Sequence, residues 1–189
     1  LGIIITVQDK NYQDFPELIN KIDLEFKPSS ISINLLRYHY KDAEKIDPKI
    51  IEGYEKAINE YEKIRNNRSY NFFWSFIIKA KEKRQKELIL KVAKKDEFIT
   101  PCSAANLSYV GMEDGSIKAC EILPNVLGNI YKEKIKTIFN SKKSKELRSE
   151  IINKKCRCTY ECAMSTNVLF NLDQQKKLIS QTFKDLGKK

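Results

Sequence analysis

The sequence contains no apolar run near the ~18 residues that a membrane-spanning helix needs, so no membrane partner is expected. Its opening "LGIIITV" has neither a basic flank nor a small-residue cleavage site and does not read as a secretory signal. There is no initiator methionine, and the chain starts inside that apolar run, as a portion of a longer protein would. Internal repeats and low-complexity linkers are missing. Histidine occurs once, at His39, with no partner visible in the sequence, so no catalytic role is assigned to it. Aromatic residues interleaved with basic ones on a strand, the pattern of a sheet that binds RNA, do not occur either.

What is present is enough for a folded chain. Hydrophobic residues make up 41% of the 189 positions and aromatics 10%, too many for a disordered segment. The formal net charge of +10 would suit an acidic partner. Most of it, however, comes from lysines interleaved with glutamates, as in "EKAINEYEKIR" and "KAKEKRQKELILK", which marks solvated helix faces. Nucleic acid is therefore not an expected partner. Five cysteines is an odd number. Clustered cysteines without a secretory signal favour metal over disulfides and a cytoplasmic location.

The first half reads as α/β. "GIIITV" at residues 2–7 is a β-branched run expected to be a strand buried on both faces. A helix follows, with Asp14 as N-cap, Pro16 in the first turn and an apolar stripe of Leu18, Ile19 and Ile22. "PSSISINLL" gives a second strand with Ile31, Ile33 and Leu35 alternating. Strand, helix and strand at this spacing form a βαβ unit with parallel strands. Ligands of such sheets gather at the carboxyl ends of the strands. Thr6, Gln8 and Asn11 after the first strand, and Asn34, Arg37, Tyr38 and His39 near the end of the second, lie there. From Pro48 to about Lys95 the pattern is helical, carried by Ile51, Tyr54, Ile58 and Tyr61 and interrupted at "RNNRSYN". Phe72, Phe73, Trp74 and Phe76 read as helix-packing core rather than a base-stacking platform. A domain boundary is expected at 97–101.

The second region opens with a hairpin. "NLSYVGM" and "SIKACEI" are strand-like, and "EDG" supplies the turn. The turn at Gly115 folds Cys102 and Cys120, with 17 residues between them, back to the same end. "LGNIYKEKIKTIF" and "SKKSKELRSEIINKK" are expected to be two short helices, the first with Ile135, Ile138 and Phe139 on its apolar face and the second with Ser144, Leu147 and Ile151. "DQQKKLISQTFKDL" gives a last helix. Between them "KCRCTYEC" brings Cys156, Cys158 and Cys162. Two cysteines on a hairpin and three from a later knuckle point to one metal site, since clustered thiolates select zinc or an iron–sulfur cluster. Four would fill a site: Cys102, Cys120, Cys158 and Cys162 are the first choice, with Cys156 the alternate.

Cys102, twelve residues, Gly115, four residues and Cys120 resemble the opening of the auxiliary-cluster domain of radical SAM enzymes, the SPASM or twitch domain. "PCSAANLSYVGMEDGSIKACEIL", "LGNIYKEKIKTIFNSKKSKELR" and "KCRCTYECAMSTNVLFN" resemble its hairpin, its Gly-Asn-helix segment and its closing knuckle. "ITVQDKN" and "ISINLLR" look like the last β/α units of the family's barrel. The resemblance implies an α/β protein in which residues 1–97 are the C-terminal part of a partial (β/α) barrel with a helical extension. Residues 98–189 would then be a small α+β SPASM/twitch-like domain holding one auxiliary [4Fe–4S] cluster. It further implies a parent enzyme that cleaves S-adenosylmethionine and modifies a peptide or small-molecule substrate, served by an electron donor. Thr6, Asn11, Asn34 and Arg37 would line the S-adenosylmethionine and substrate pocket. The family's CxxxCxxC loop does not occur here, as no cysteine precedes Cys102. That loop and the N-terminal half of the barrel would belong to the parent upstream. The rival expectation is a zinc-stabilised binding module for nucleic acid or an acidic partner.

Overall fold

The computed structural model describes residues 1–39, 41, 42, 44–66 and 72–186, with side chains for all of these except 65, 66, 72–76 and 184–186. The chain opens with β1 (Gly2–Val7), α1 (Phe15–Phe26) and β2 (Ser30–Leu35). The two strands pair in parallel, Ile3 opposite Ile31 and Thr6 opposite Asn34, so the expected βαβ unit forms. Pro16 lies in the first turn of α1, where its missing N–H costs nothing. Asp14 stands at the N-cap, but its side chain makes no capping hydrogen bond. Period-two alternation buries Ile31, Ile33 and Leu35 on one face of β2.

β1 departs from its expected burial on both faces. Ile4 is 73% exposed, while Val7 is fully buried. Among the described residues, β2 is the only strand paired with β1, and the face that carries Ile4 and Thr6 is not covered as a larger sheet would cover it.

Two long helices close over the other face: α2 (Pro48–Asn66) and α3 (Phe72–Lys95). Ile51, Tyr54 and Tyr61 of α2 point into the core with Leu88, Ile89 and Val92 of α3. The side chains of Phe72, Phe73, Trp74 and Phe76 lie outside those described. α3 ends where Asp96 takes a left-handed conformation, φ 51°.

The second unit holds a three-stranded antiparallel sheet of β3 (Val110–Gly111), β4 (Ser116–Lys118) and β5 (Val126–Asn129). The hairpin is present but shorter than its sequence suggests, because residues 103–108 are spent on turns. β5 is a correction. The segment beginning at Leu127 is a strand, and its helix, α4 (Ile135–Asn140), starts eight residues later. Ile138 is fully buried, but Ile135 is 52% exposed and is not on the buried face. α5 (Lys142–Asn153) follows, capped by the Ser141 hydroxyl, and buries Ser144, Leu147 and Ile151 as expected. Gly115 has φ 79°, the left-handed geometry that the Asp-Gly turn requires.

A further helix, α6 (Glu161–Phe170), was not anticipated and precedes α7 (Leu172–Leu186). Its Met164 and Val168 enter the first core beside Leu88 and Val92. The chain thus crosses from the βαβ core to the second sheet and returns. No helix is long and apolar enough to cross a membrane among the described residues.

The joint between α2 and the β1–α1 loop rests on one glycine. A Cβ at Gly53 would lie 2.6 Å from the Tyr12 carbonyl oxygen and 2.8 Å from its Cβ. Helix propensity alone favours alanine there by about 1 kcal/mol. The backbone contact outweighs it, so Gly53→Ala is expected to lower the melting temperature. A raised melting temperature would show that the two segments are not packed this closely.

Candidate iron–sulfur site

Three segments build the site. The turns after α3 place Cys102, the end of the hairpin places Cys120, and residues 156–162 bring the remaining thiols. Lys155, at φ 51°, turns the chain out of α5 into this knuckle. Cys162 sits on the first turn of α6.

Thr159 fixes the knuckle in space. This fully buried residue accepts a hydrogen bond on Oγ1 from the Tyr38 N–H at 2.8 Å and donates from it to the Leu36 carbonyl at 3.1 Å. Its own N–H donates to the Tyr38 carbonyl at 2.9 Å. His39 and Cys158 form an antiparallel bridge one step further. The strand end at 36–39 and the knuckle at 156–159 are therefore zipped together.

Glu161 anchors the next turn. Its carboxylate accepts from the Tyr54 hydroxyl at 3.0 Å and from Gln85 Nε2, and Gln85 also donates to the Glu161 carbonyl at 2.9 Å. Burial raises the Glu161 pKa, partly offset by these hydrogen bonds. On the knuckle's outer side Arg157 Nε donates to the Asp96 carboxylate at 2.8 Å and to its carbonyl at 2.7 Å.

All five thiols face one cavity of about 230 Å³, lined also by His39, Tyr109, Leu123 and Tyr160. None is in a disulfide. Cys102 and Cys156 pack together, and their interaction holds the Cys102 thiol at about 7 and pushes Cys156 far upward. Burial pushes Cys158 up to about 12, and the charges of Cys102, Cys120 and Cys162 act in the same direction. Cys120 is raised by burial and, to a lesser degree, by Cys102 and Cys162. Thiols that each raise another's pKa would be relieved by a cation among them.

The donor set fits an iron–sulfur group. The ligands are soft, more than four are available, and the cavity is walled by apolar side chains. The buried hydroxyls of Thr100 and Ser103, on either side of Cys102, have no hydrogen-bond partner among the described residues. Among the described residues no three Cys, His, Asp or Glu side chains are gathered closely enough to hold a single metal ion.

The polar residues expected at the strand ends divide. Thr6, Asn11 and Asn34 stay away from the thiols. Asn11 closes the β1–α1 turn, donating from Nδ2 to the Thr6 carbonyl and accepting from the Gln8 N–H, both at 2.9 Å. Asn34 lies beside Thr6 on the open sheet face and accepts from the Ser32 hydroxyl at 3.3 Å. Arg37 reaches the rim of the thiol cavity. It pairs with Glu121 at 2.6 Å and stacks 4.8 Å over the Tyr160 ring. His39, placed at the strand end by sequence but without a visible partner there, has one in the structure. It is 2% exposed, and its Nε2 lies 3.6 Å from Cys156 Sγ. A contact across 117 positions leaves no local signal in sequence.

Residues 99–163 match the family model of the SPASM iron–sulfur cluster-binding domain, a stretch that takes in the three-stranded sheet, α4, α5 and all five cysteines. No curated protein and no solved structure matches the chain.

Two measurements test this geometry. Thr159→Val keeps the shape but strands the buried Tyr38 N–H, and in urea it is expected to cost about 1–3 kcal/mol. A change within about 0.5 kcal/mol would remove the zipper as a determinant of the fold. The second concerns Asp96, whose carboxyl is held below its ordinary value of 3.8, chiefly by the hydrogen bond from Arg157. A depressed folded pKa stabilises above the ordinary value and loses that contribution as pH falls through the folded one. Asp96→Asn, which tolerates the same left-handed backbone, should therefore melt below the wild type at pH 7, with the gap starting to narrow only below the ordinary value of 3.8 and closing as the pH falls through the folded pKa. A gap that persists in acid would contradict the ion pair.

Proposed function

We infer that this chain holds one auxiliary [4Fe–4S] cluster and is the C-terminal part of a radical SAM enzyme. The observation that carries the reading is the convergence of five cysteines on one cavity within the segment that matches the SPASM domain. Cys102, Cys120, Cys158 and Cys162, all on the wall of that cavity, are the proposed ligands, as their spacing in the sequence suggests. Such a cluster supplies one-electron chemistry when bound; the protein's share is ligation, burial and orientation.

The parallel β1–β2 pair supports the rest of the proposal. Its open face carries Thr6 and Asn34, as the inner face of a partial (β/α) barrel would. Residues 1–97 are read as that barrel portion and 98–189 as the auxiliary domain. S-adenosylmethionine cleavage belongs to the parent's missing CxxxCxxC cluster, and the substrate is a peptide or small molecule. Thr6, Asn11 and Asn34 would face it, with Arg37 at the boundary between the two units. A zinc-stabilised binding module is not favoured, given the match of residues 99–163 to an iron–sulfur cluster-binding domain.

Anaerobic reconstitution of the full chain tests the cluster. About four irons and four sulfides per chain are expected, with broad absorption from thiolate to iron. Cys158→Ser should lose most of that iron. Tightly bound zinc with no chromophore would overturn the reading.

A further inference from the structure

The fifth cysteine and the lone histidine form a unit of their own. His39 lies against Cys156, and one backbone N–H meets the other side of its ring. The Lys41 N–H donates to His39 Nδ1 at 3.4 Å. The Asp42 carboxylate accepts from the His39 main-chain N–H at 2.7 Å, which holds the turn that presents Lys41. A backbone N–H can only donate, so Nδ1 carries a lone pair and the ring proton resides on Nε2. Nε2–H then points at Cys156 Sγ, 3.6 Å away. Having accepted from the imidazole, that sulfur has its own S–H to give, and Cys102 is the thiol packed with it on the wall of the same cavity.

We propose that Cys156 is not a ligand but a hydrogen-bond donor to the ligand Cys102, oriented by His39, so that the two form a relay behind the cluster. This rests on the iron–sulfur reading above. It settles which of the five thiols stands outside the ligand set, and it gives the βαβ unit a direct hold on the properties of the site. Hydrogen bonds to a ligating sulfur spread its negative charge and favour the reduced cluster. His39 and Cys156 are positioning residues, since neither touches the metal.

The test uses the full chain in two states. In the reconstituted protein, Cys156→Ala and His39→Leu should each keep the wild-type iron content and move the reduction potential to more negative values. His39→Gln, which retains an N–H near the position of Nε2, should recover most of the shift. Because the groups act in series, His39→Leu should add nothing in the Cys156→Ala background. Loss of iron from Cys156→Ala comparable to that from Cys158→Ser would overturn the proposal, as would an unchanged potential in both single variants.

In the metal-free chain the single histidine permits an unambiguous ¹⁵N–¹H correlation experiment. It should report the Nε2–H tautomer, with exchange of that proton quickened about three- to tenfold by Cys156→Ala. An Nδ1–H tautomer, a charged ring at neutral pH or an exchange rate indifferent to Cys156 would each overturn the relay. This arm stands even if the wild type takes up no iron, which would remove the iron–sulfur reading on separate grounds.

Discussion

The structure depends on the Thr159 hydroxyl. It is fully buried, satisfies the end of a strand more than a hundred residues earlier, and does so in the middle of the cysteine knuckle. Without it, the 156–162 segment would be a loop with thiols on it. With it, Cys156, Cys158 and Cys162 have fixed positions relative to β2, and the hairpin thiols meet them across one cavity. The zipper also explains why α6 and α7 return to the first core. A knuckle pinned to β2 delivers the chain beside α3, where Glu161, Met164 and Val168 find partners. Strand end, thiol site and C-terminal helices are consequences of one buried hydrogen-bond cluster.

Polar burial is concentrated around this joint. Glu161 is held by Tyr54 and Gln85 on one side, and Arg157 by Asp96 on the other. Apolar packing alone would allow the two cores to slide past each other. A buried carboxylate with two named donors permits only one registration, because any other leaves a charge without partners. That rigidity suits a cluster site, where ligand sulfurs have to be placed before metal arrives.

The local features were legible in sequence. The βαβ unit followed from β-branched runs and helical spacing, α5 from its apolar stripe, and the Gly115 turn from Asp-Gly. The thiols were identified as a single constellation from their clustering and their spacing around Gly115. Features set by distant contacts were not legible. β5 has a weak strand pattern and forms because β4 offers an edge. α6 starts inside what reads as a knuckle because Glu161 has partners on α2 and α3. Ile4 reads as buried, yet its face of the sheet lies open. Arg37 was chosen for its place after a strand, but what it grips is Glu121 and Tyr160 at the rim of the cysteine cavity. His39 was legible as a residue at the strand end, but not as a neighbour of Cys156, since that partner arrives from the far end of the chain.

The central claim is that these thiols hold a polynuclear cluster rather than a single ion. Iron-edge X-ray absorption of the anaerobically reconstituted chain addresses it most directly. The account predicts a first shell of sulfur around iron and, beyond it, a clear iron–iron shell from a shared core. A sulfur shell with no metal–metal scattering would mean one isolated ion per site and would contradict it.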